Sequence, residues 1–184
     1  YEPANGEIGL AGVQLELLDA SGTTVVMTTT TSAGGQFTFI GLAPGSYRVR
    51  VAAANFANWT DPLYGFVSSS PTFSADDAVD GNDSGVNNAD PAQGGVTSGP
   101  LTLSLGAEPT TEGVDEDGAY PDADSNLTVD FGFFKLLSLG SRVWYDADHD
   151  GVLDPGELGV PAGVVVNLLD GTGNPVLHPI TGQP

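Results

Sequence analysis

The amino-acid sequence predicts an all-β fold, a sandwich of many short strands. Three observations carry this. Apolar residues alternate with polar ones in segment after segment, the period of a half-buried strand rather than of a helix. Turn formers punctuate the chain, with 26 glycines and 13 prolines in 184 residues. No stretch with helical spacing carries a cap.

The elements follow in order. In VQLELLD, Val13, Leu15 and Leu17 alternate with Gln14 and Glu16, giving one buried and one wet face. TTVVMTTTT, residues 23–31, is β-branched nearly throughout, and QFTFI follows the turn residues Gly34 and Gly35. After a Pro-Gly turn, Tyr47, Val49 and Val51 alternate with Arg48 and Arg50. GPLTLSL sets Leu101, Leu103 and Leu105 on one side, and NLTVDFGF does the same with Leu127, Val129, Phe131 and Phe133. Two long, turn-rich segments, 55–100 and 106–126, interrupt the pattern. Loops of that length inside a domain are usually functional or held by something other than a core.

The chain repeats itself. GEIGLAGVQLELLDASGTTV, residues 6–25, matches GELGVPAGVVVNLLDGTGNPV, residues 156–176, with Pro161 inserted. Glu7 answers Glu157, Gly12 answers Gly163 and Asp19 answers Asp170, an offset of 150 residues at the glutamates (157 less 7). That period is a whole domain recurring. The expected organisation is a sandwich over 1–134 whose start is missing, a linker at 135–137, and the beginning of a second copy over 138–184.

Charge narrows the partners. Four basic residues stand against 24 acids, for a net charge of −20. Such a surface repels nucleic acid and anionic membranes and attracts divalent cations. There is no cysteine, and no apolar run approaches the ~20 residues of a membrane helix.

DADHDGVLDPGE, residues 146–157, fits the calcium-loop pattern D-x-[DN]-x-[DN]-G-x5-E position for position. Asp146, Asp148 and Asp150 take positions 1, 3 and 5, and Gly151 takes the sharp turn. Val152 can offer its carbonyl, Asp154 stands at position 9, and Glu157 can bind through both oxygens. Zinc or copper would want His or Cys, and only His149 is near. The flanks SLGSRVWYD and LGVPAGVVVNLL read as strands, so the loop is a clasp for a structural Ca2+ rather than a helix-moving sensor. YEPANGE carries the remnant of the same loop, with Glu7 answering Glu157 and Glu2 answering Asp154 if two residues are inserted, an incomplete site here. A second acidic cluster, Asp76, Asp77, Asp80, Asn82 and Asp83, matches no metal template; it is weighed evenly between an ion site and a plain acidic loop.

The junction NLTVDFGFFKLLSLGSRVWYDADHDGVLDPGELGVPAGVVVNLLD, with TTTTSAGGQFTFIGLAPGSYRVRV before it, resembles the SdrD B-like modules of serine-aspartate repeat surface proteins, within the Cna-B-like group. The resemblance is looser over 55–125. It implies a calcium-loaded, prealbumin-like or Ig-like sandwich of about seven strands, in tandem on a bacterial surface or in an extracellular matrix. It also implies the ligand set Asp146, Asp148, Asp150, Val152, Asp154 and Glu157. Related modules can carry a lysine–asparagine isopeptide bond. The lone lysine here, Lys135, falls at the junction, so no such bond is expected.

No nucleophile elbow, zinc-protease helix or P-loop occurs, and the two histidines are His149 and His178. The chain is therefore expected to be no enzyme but a calcium-stiffened module of a stalk, sheath or filament. Its partners would be neighbouring modules of the same chain and, through strand addition, neighbouring subunits in a head-to-tail polymer. The alternatives are an adhesin whose loops 55–100 and 106–126 grip a host or matrix protein or glycan, and an accessory module of a secreted enzyme. In NFANWTDPLYGF, Phe56, Trp59 and Tyr64 are read as packing aromatics ahead of a sugar platform.

Overall fold

The structure is a computed structural model and describes residues 6–69, 83–110, 121–178 and 182–183. The chain divides into two compact units, Tyr1–Leu136 and Leu137–Pro184.

In the first unit the alternation becomes a sheet. β1 (Gln14–Leu18) pairs antiparallel with β2 (Val25–Thr30) on one side and β3 (Gly45–Val51) on the other. Leu15 lies opposite Val51 and Leu17 opposite Val49, so the apolar faces of β1 and β3 coincide. On the other face Glu16 lies opposite Arg50, and Arg50 Nε donates to Glu16 Oε2 at 2.6 Å. Between Leu17 and Leu18 the register to β2 shifts, leaving Val26 as the extra residue of a bulge on β2.

The segment expected as a long loop supplies four elements: β4 (Phe66–Ser68), β5 (Gly85–Val86), the single helical turn α1 (Pro91–Gly94) and β6 (Val96–Ser98). The helical turn escaped the sequence reading because it spans four residues and has no side-chain cap. Gly95 ends it at φ 71°, with the Val51 carbonyl 2.3 Å from where a Cβ would sit, so only glycine fits. β6 pairs with β3 and β5 pairs with β6, giving the order β2-β1-β3-β6-β5, while β7 (Leu101–Leu103) pairs with the first half of β3. β8 (Phe133–Lys135) pairs with β4 in a second sheet and runs one residue into the expected linker.

The two antiparallel sheets share one core, an all-β, Ig-like sandwich. Val13, Leu15, Leu17, Val49, Val51, Phe56, Leu63, Val96 and Leu101 form its centre, and Phe37, Phe39, Val129, Phe131 and Phe133 pack against it. QFTFI and most of NLTVDFGF form no named strand, yet they deliver these aromatics: Phe37 meets Phe131 at 6.4 Å between ring centroids, and Phe56 meets Phe133 at 5.8 Å. Leu105 lies beyond β7 and is exposed, unlike Leu101. Phe56 is core, as expected, whereas Trp59 is 83% exposed and Tyr64 is also outside.

The second unit is built from two narrow ladders. Trp144 bridges Gly159 and Leu169 bridges Pro175. Its hairpin restates the first unit's. Asp19 and Asp170 each open a turn closed by Gly22 N–H to Asp19 O at 2.9 Å and by Gly173 N–H to Asp170 O at 3.0 Å. Both glycines sit at positive φ, 73° and 88°. Covering differs. Val13, Leu15 and Leu17 are buried, but their counterparts Val164, Val166 and Leu168 are exposed.

Candidate metal centre

The second unit's loop begins where Trp144 pairs with Gly159 and returns where Tyr145 N–H donates to Leu158 O at 3.0 Å and Val160 N–H to Val143 O at 3.1 Å. This bridge and its two flanking hydrogen bonds fix the mouth of a loop whose residues are then folded by their own carboxylates. Asp146 Oδ1 accepts from His149 N–H at 2.8 Å, and its Oδ2 accepts from Gly151 N–H at 2.9 Å. Asp150 Oδ1 accepts from Val152 N–H at 2.7 Å. Glu157 reaches back, its Oε1 accepting from Ala147 N–H at 2.8 Å and its Oε2 from Asp154 N–H at 3.1 Å. Gly151 takes φ 78° and His149 takes φ 66°, the left-handed region in which His149 alone among the described non-glycine residues lies.

Carboxylate oxygens of Asp146, Asp148 and Glu157 lie within 4.8 Å of one another, and so do those of Asp148, Asp150 and Asp154. Asp148 belongs to both sets, so the five predicted acids form two overlapping triads. Val152 is exposed beside them. The donors are all oxygens, which calcium takes, whereas zinc and copper favour nitrogen and sulfur. Asp146, Asp148, Asp150, Asp154 and Glu157 would hold calcium, with the Val152 carbonyl in reach along the chain. A bound divalent cation there would neutralise carboxylates that otherwise repel one another. The Gly151 N–H above all, with those of His149 and Asp150, holds the Asp146 carboxyl below the ordinary carboxylate range, so it is ionised and ready to ligate.

The remaining candidates fare differently. Glu7 is exposed and has interactions of its own, and Glu2 lies outside the described residues. Asp76, Asp77, Asp80 and Asn82 also lie outside them. Asp83 has structural work: Ser68 Oγ donates to its Oδ2 at 2.9 Å, Gly85 N–H to its Oδ1 at 2.9 Å, and its backbone bridges Asp130. Lys135, in β8, places Nζ 5.8 Å from the centroid of the Phe66 ring.

Sequence reasoning aligned Asp19 with Asp170 but missed what they do. Asp19 Oδ1 accepts from Ser21 Oγ at 2.6 Å and from Thr24 N–H at 3.3 Å. Asp170 Oδ1 accepts from Thr172 N–H at 2.8 Å and Asn174 N–H at 2.9 Å. The signal was present in DASGTT and DGTGNP, an aspartate two residues before a hydroxyl and three before a glycine. Asn55 was missed as well; it gave only a lone amide in an apolar run.

The sandwich defines an all-β, Ig-like module, and comparison with known proteins makes this specific. Residues 3–133 match the family described as SdrD B-like domain, and the chain belongs to it. It is 31% identical over 172 residues to serine-aspartate repeat-containing protein F of Staphylococcus epidermidis, covering 92% of this chain and 8% of that protein. It is 31% identical over 164 residues to serine-aspartate repeat-containing protein C of Staphylococcus aureus strain MRSA252, covering 88% of this chain and 14% of that one. The chain thus spans a small fraction of these relatives' length. No solved structure matches it. No helix among the described residues is long and apolar enough to cross a membrane.

Proposed function

We propose that the chain is a non-catalytic, calcium-stabilised structural module of a bacterial extracellular surface protein, one that forms or spaces a stalk, sheath or filament. The observation that supports this is a pair of carboxylate triads, drawn from twelve consecutive residues and sharing Asp148. Uncompensated, that array opposes its own fold; with Ca2+ inside, it ties together the segments that meet at the Trp144–Gly159 bridge. An ion at ~100 times its dissociation constant contributes roughly 2.7 kcal/mol to the folded state. The hairpin at Asp170, which restates the one at Asp19, supports the tandem part of the reading.

The test is limited proteolysis of the full chain with calcium and with EDTA, alongside calorimetric titration of calcium. Saturable binding with slower cleavage of residues 137–178 is expected. No binding at millimolar calcium, or identical cleavage with and without chelator, overturns the proposal.

One observation favours a second reading, a protein- or glycan-binding adhesin. Trp59 stands exposed in the turn after Phe56, with Tyr64 exposed close behind it. Large aromatics in that state are common recognition anchors. Trp59→Ala would then abolish attachment to host matrix without moving stability, whereas the structural module leaves attachment untouched.

A further inference from the structure

Residues 57–64 form an arm whose backbone is fixed while its largest rings stay uncovered. The Asn58 carbonyl accepts from Asp61 N–H at 2.9 Å, and Asp61 Oδ2 accepts from Asn58 N–H at 2.6 Å. The turn Asn58–Asp61 is thus closed twice. A second turn starts from the same aspartate, with Tyr64 N–H donating to the Asp61 carbonyl at 3.2 Å. Leu63 is buried and its N–H reaches the Asn55 carbonyl at 3.0 Å, which ties the arm to the core. Trp59 sits inside the first turn at 83% exposure, and Tyr64, also exposed, ends the second.

Trp59 contributes little to this fold, because Phe56 and Leu63 already anchor the arm. The closed turn and the few rotatable bonds of an indole mean that little entropy is lost when a partner stacks on it. Charge says which partner. Asp61 is the sole charged residue from Val51 through Ala75, and it lies between the two exposed aromatics in the chain. Its Oδ2 takes both the N–H and the Nδ2 of Asn58, which leaves Oδ1 for another donor. An indole face attracts cations, and a carboxylate beside it accepts from the same group. The net charge of −20 draws bases in and repels acids, whereas a neutral sugar gains nothing from that field. The adjoining strand already seats one such pair, with Lys135 Nζ 5.8 Å from the centroid of the Phe66 ring.

We infer that, within the adhesin reading above, the arm docks a basic segment of a partner protein, with an arginine or lysine stacked on Trp59 and paired with Asp61. Arginine suits the site better than lysine, since its planar guanidinium stacks and donates at once. Binding should weaken as salt screens the attraction. It needs neither calcium nor the acidic loop.

Trp144→Phe leaves Trp59 as the chain's only tryptophan, so its emission reports the arm alone. A short peptide of alternating arginine and glycine, titrated into that variant, should shift the emission saturably. The same peptide with glutamine for arginine should not. Calorimetry should show Trp59→Ala binding the arginine peptide at least about fivefold more weakly than wild type. Asp61→Asn keeps an acceptor for Asn58 and should weaken it about twofold. Attraction to acids elsewhere on the chain is the same in Trp59→Ala, so the difference isolates the arm, and circular dichroism shows that each variant is folded. An arginine peptide that leaves Trp59 emission unmoved, or binds folded Trp59→Ala as tightly as wild type, overturns the inference. If cellohexaose moves the emission and the peptide does not, the inference falls and the adhesin reading stands. If neither moves it and Trp59→Ala attaches to host matrix like wild type, both fall.

Discussion

Asn55 grips the main chain of Gln14 from both sides. The Gln14 N–H donates to Asn55 Oδ1 at 2.9 Å, and Asn55 Nδ2 donates to the Gln14 carbonyl at 2.8 Å and to the Ala52 carbonyl at 2.9 Å. The amide is buried and copies the pairing of a strand that is not there, so β1 is held at its start by a side chain from the turn after β3.

Asn55→Ala should destabilise the first unit by about 1–3 kcal/mol, because it leaves the Gln14 N–H without its partner, while the Gln14 and Ala52 carbonyls keep the Ala52 and Asn55 N–H groups. Urea unfolding followed by the near-ultraviolet signal measures this. A loss below about 0.5 kcal/mol would show that water replaces the amide.

Position in the repeat predicts opposite sensitivities for matching residues. Leu15 is 1% exposed and its counterpart Val166 is 74% exposed. Leu15→Ala should cost about 2–4 kcal/mol and Val166→Ala less than about 0.5 kcal/mol in the full chain. Thermal unfolding of both variants compares them.

Acid should weaken the first hairpin. Hydroxyl donation from Ser21, then Thr24, lowers the Asp19 carboxyl from 3.8 to about 2. A carboxyl with a depressed folded value stabilises the fold above its unfolded value, and that contribution disappears as pH falls through the range from 3.8 to about 2. Asp170 is lowered too, chiefly by the Asn174 N–H, so the second hairpin should follow in the same direction. In Asp19→Asn the first unit should lose part of its acid sensitivity. Carboxyl chemical shifts across an acid titration would report both groups.

Asp83 separates a structural acid from a ligand. Asp83→Ala should destabilise the first unit by roughly 1–3 kcal/mol through the loss of Ser68 and Gly85 as partners, and leave calcium binding unchanged. Calorimetric titration and urea unfolding of the one variant test both halves.

Glu157→Gln should do the reverse in the second unit. It removes a charge and one strong acceptor while keeping the side chain's length, and calcium affinity should fall at least about tenfold, near 1.4 kcal/mol. The Trp144 indole N–H is buried without a partner, close in sequence to the loop, so Trp144 fluorescence is a convenient readout.

The strands that sequence showed best are those whose alternation is answered by a neighbour. Leu15 and Leu17 meet Val51 and Val49 in register, so both segments carry the same pattern. Phe37 and Phe39 alternate equally well but form no ladder, because their burial comes from ring contacts and not from pairing. The acidic loop was legible because all its carboxylates come from one short run. Asn55 and Asp83 were not, since their roles depend on Gln14 and Ser68, distant residues that no local period relates to them.

The two aspartate turns have a bearing on how such a chain assembles. Each is closed by donors no more than five positions beyond the aspartate, so each hairpin can zip on the microsecond scale while later strands are still being synthesised. A polypeptide that repeats the same opening risks crossing a strand into the wrong copy. Early, self-contained closure commits every β1-like strand to its own return partner and so protects the array against entanglement.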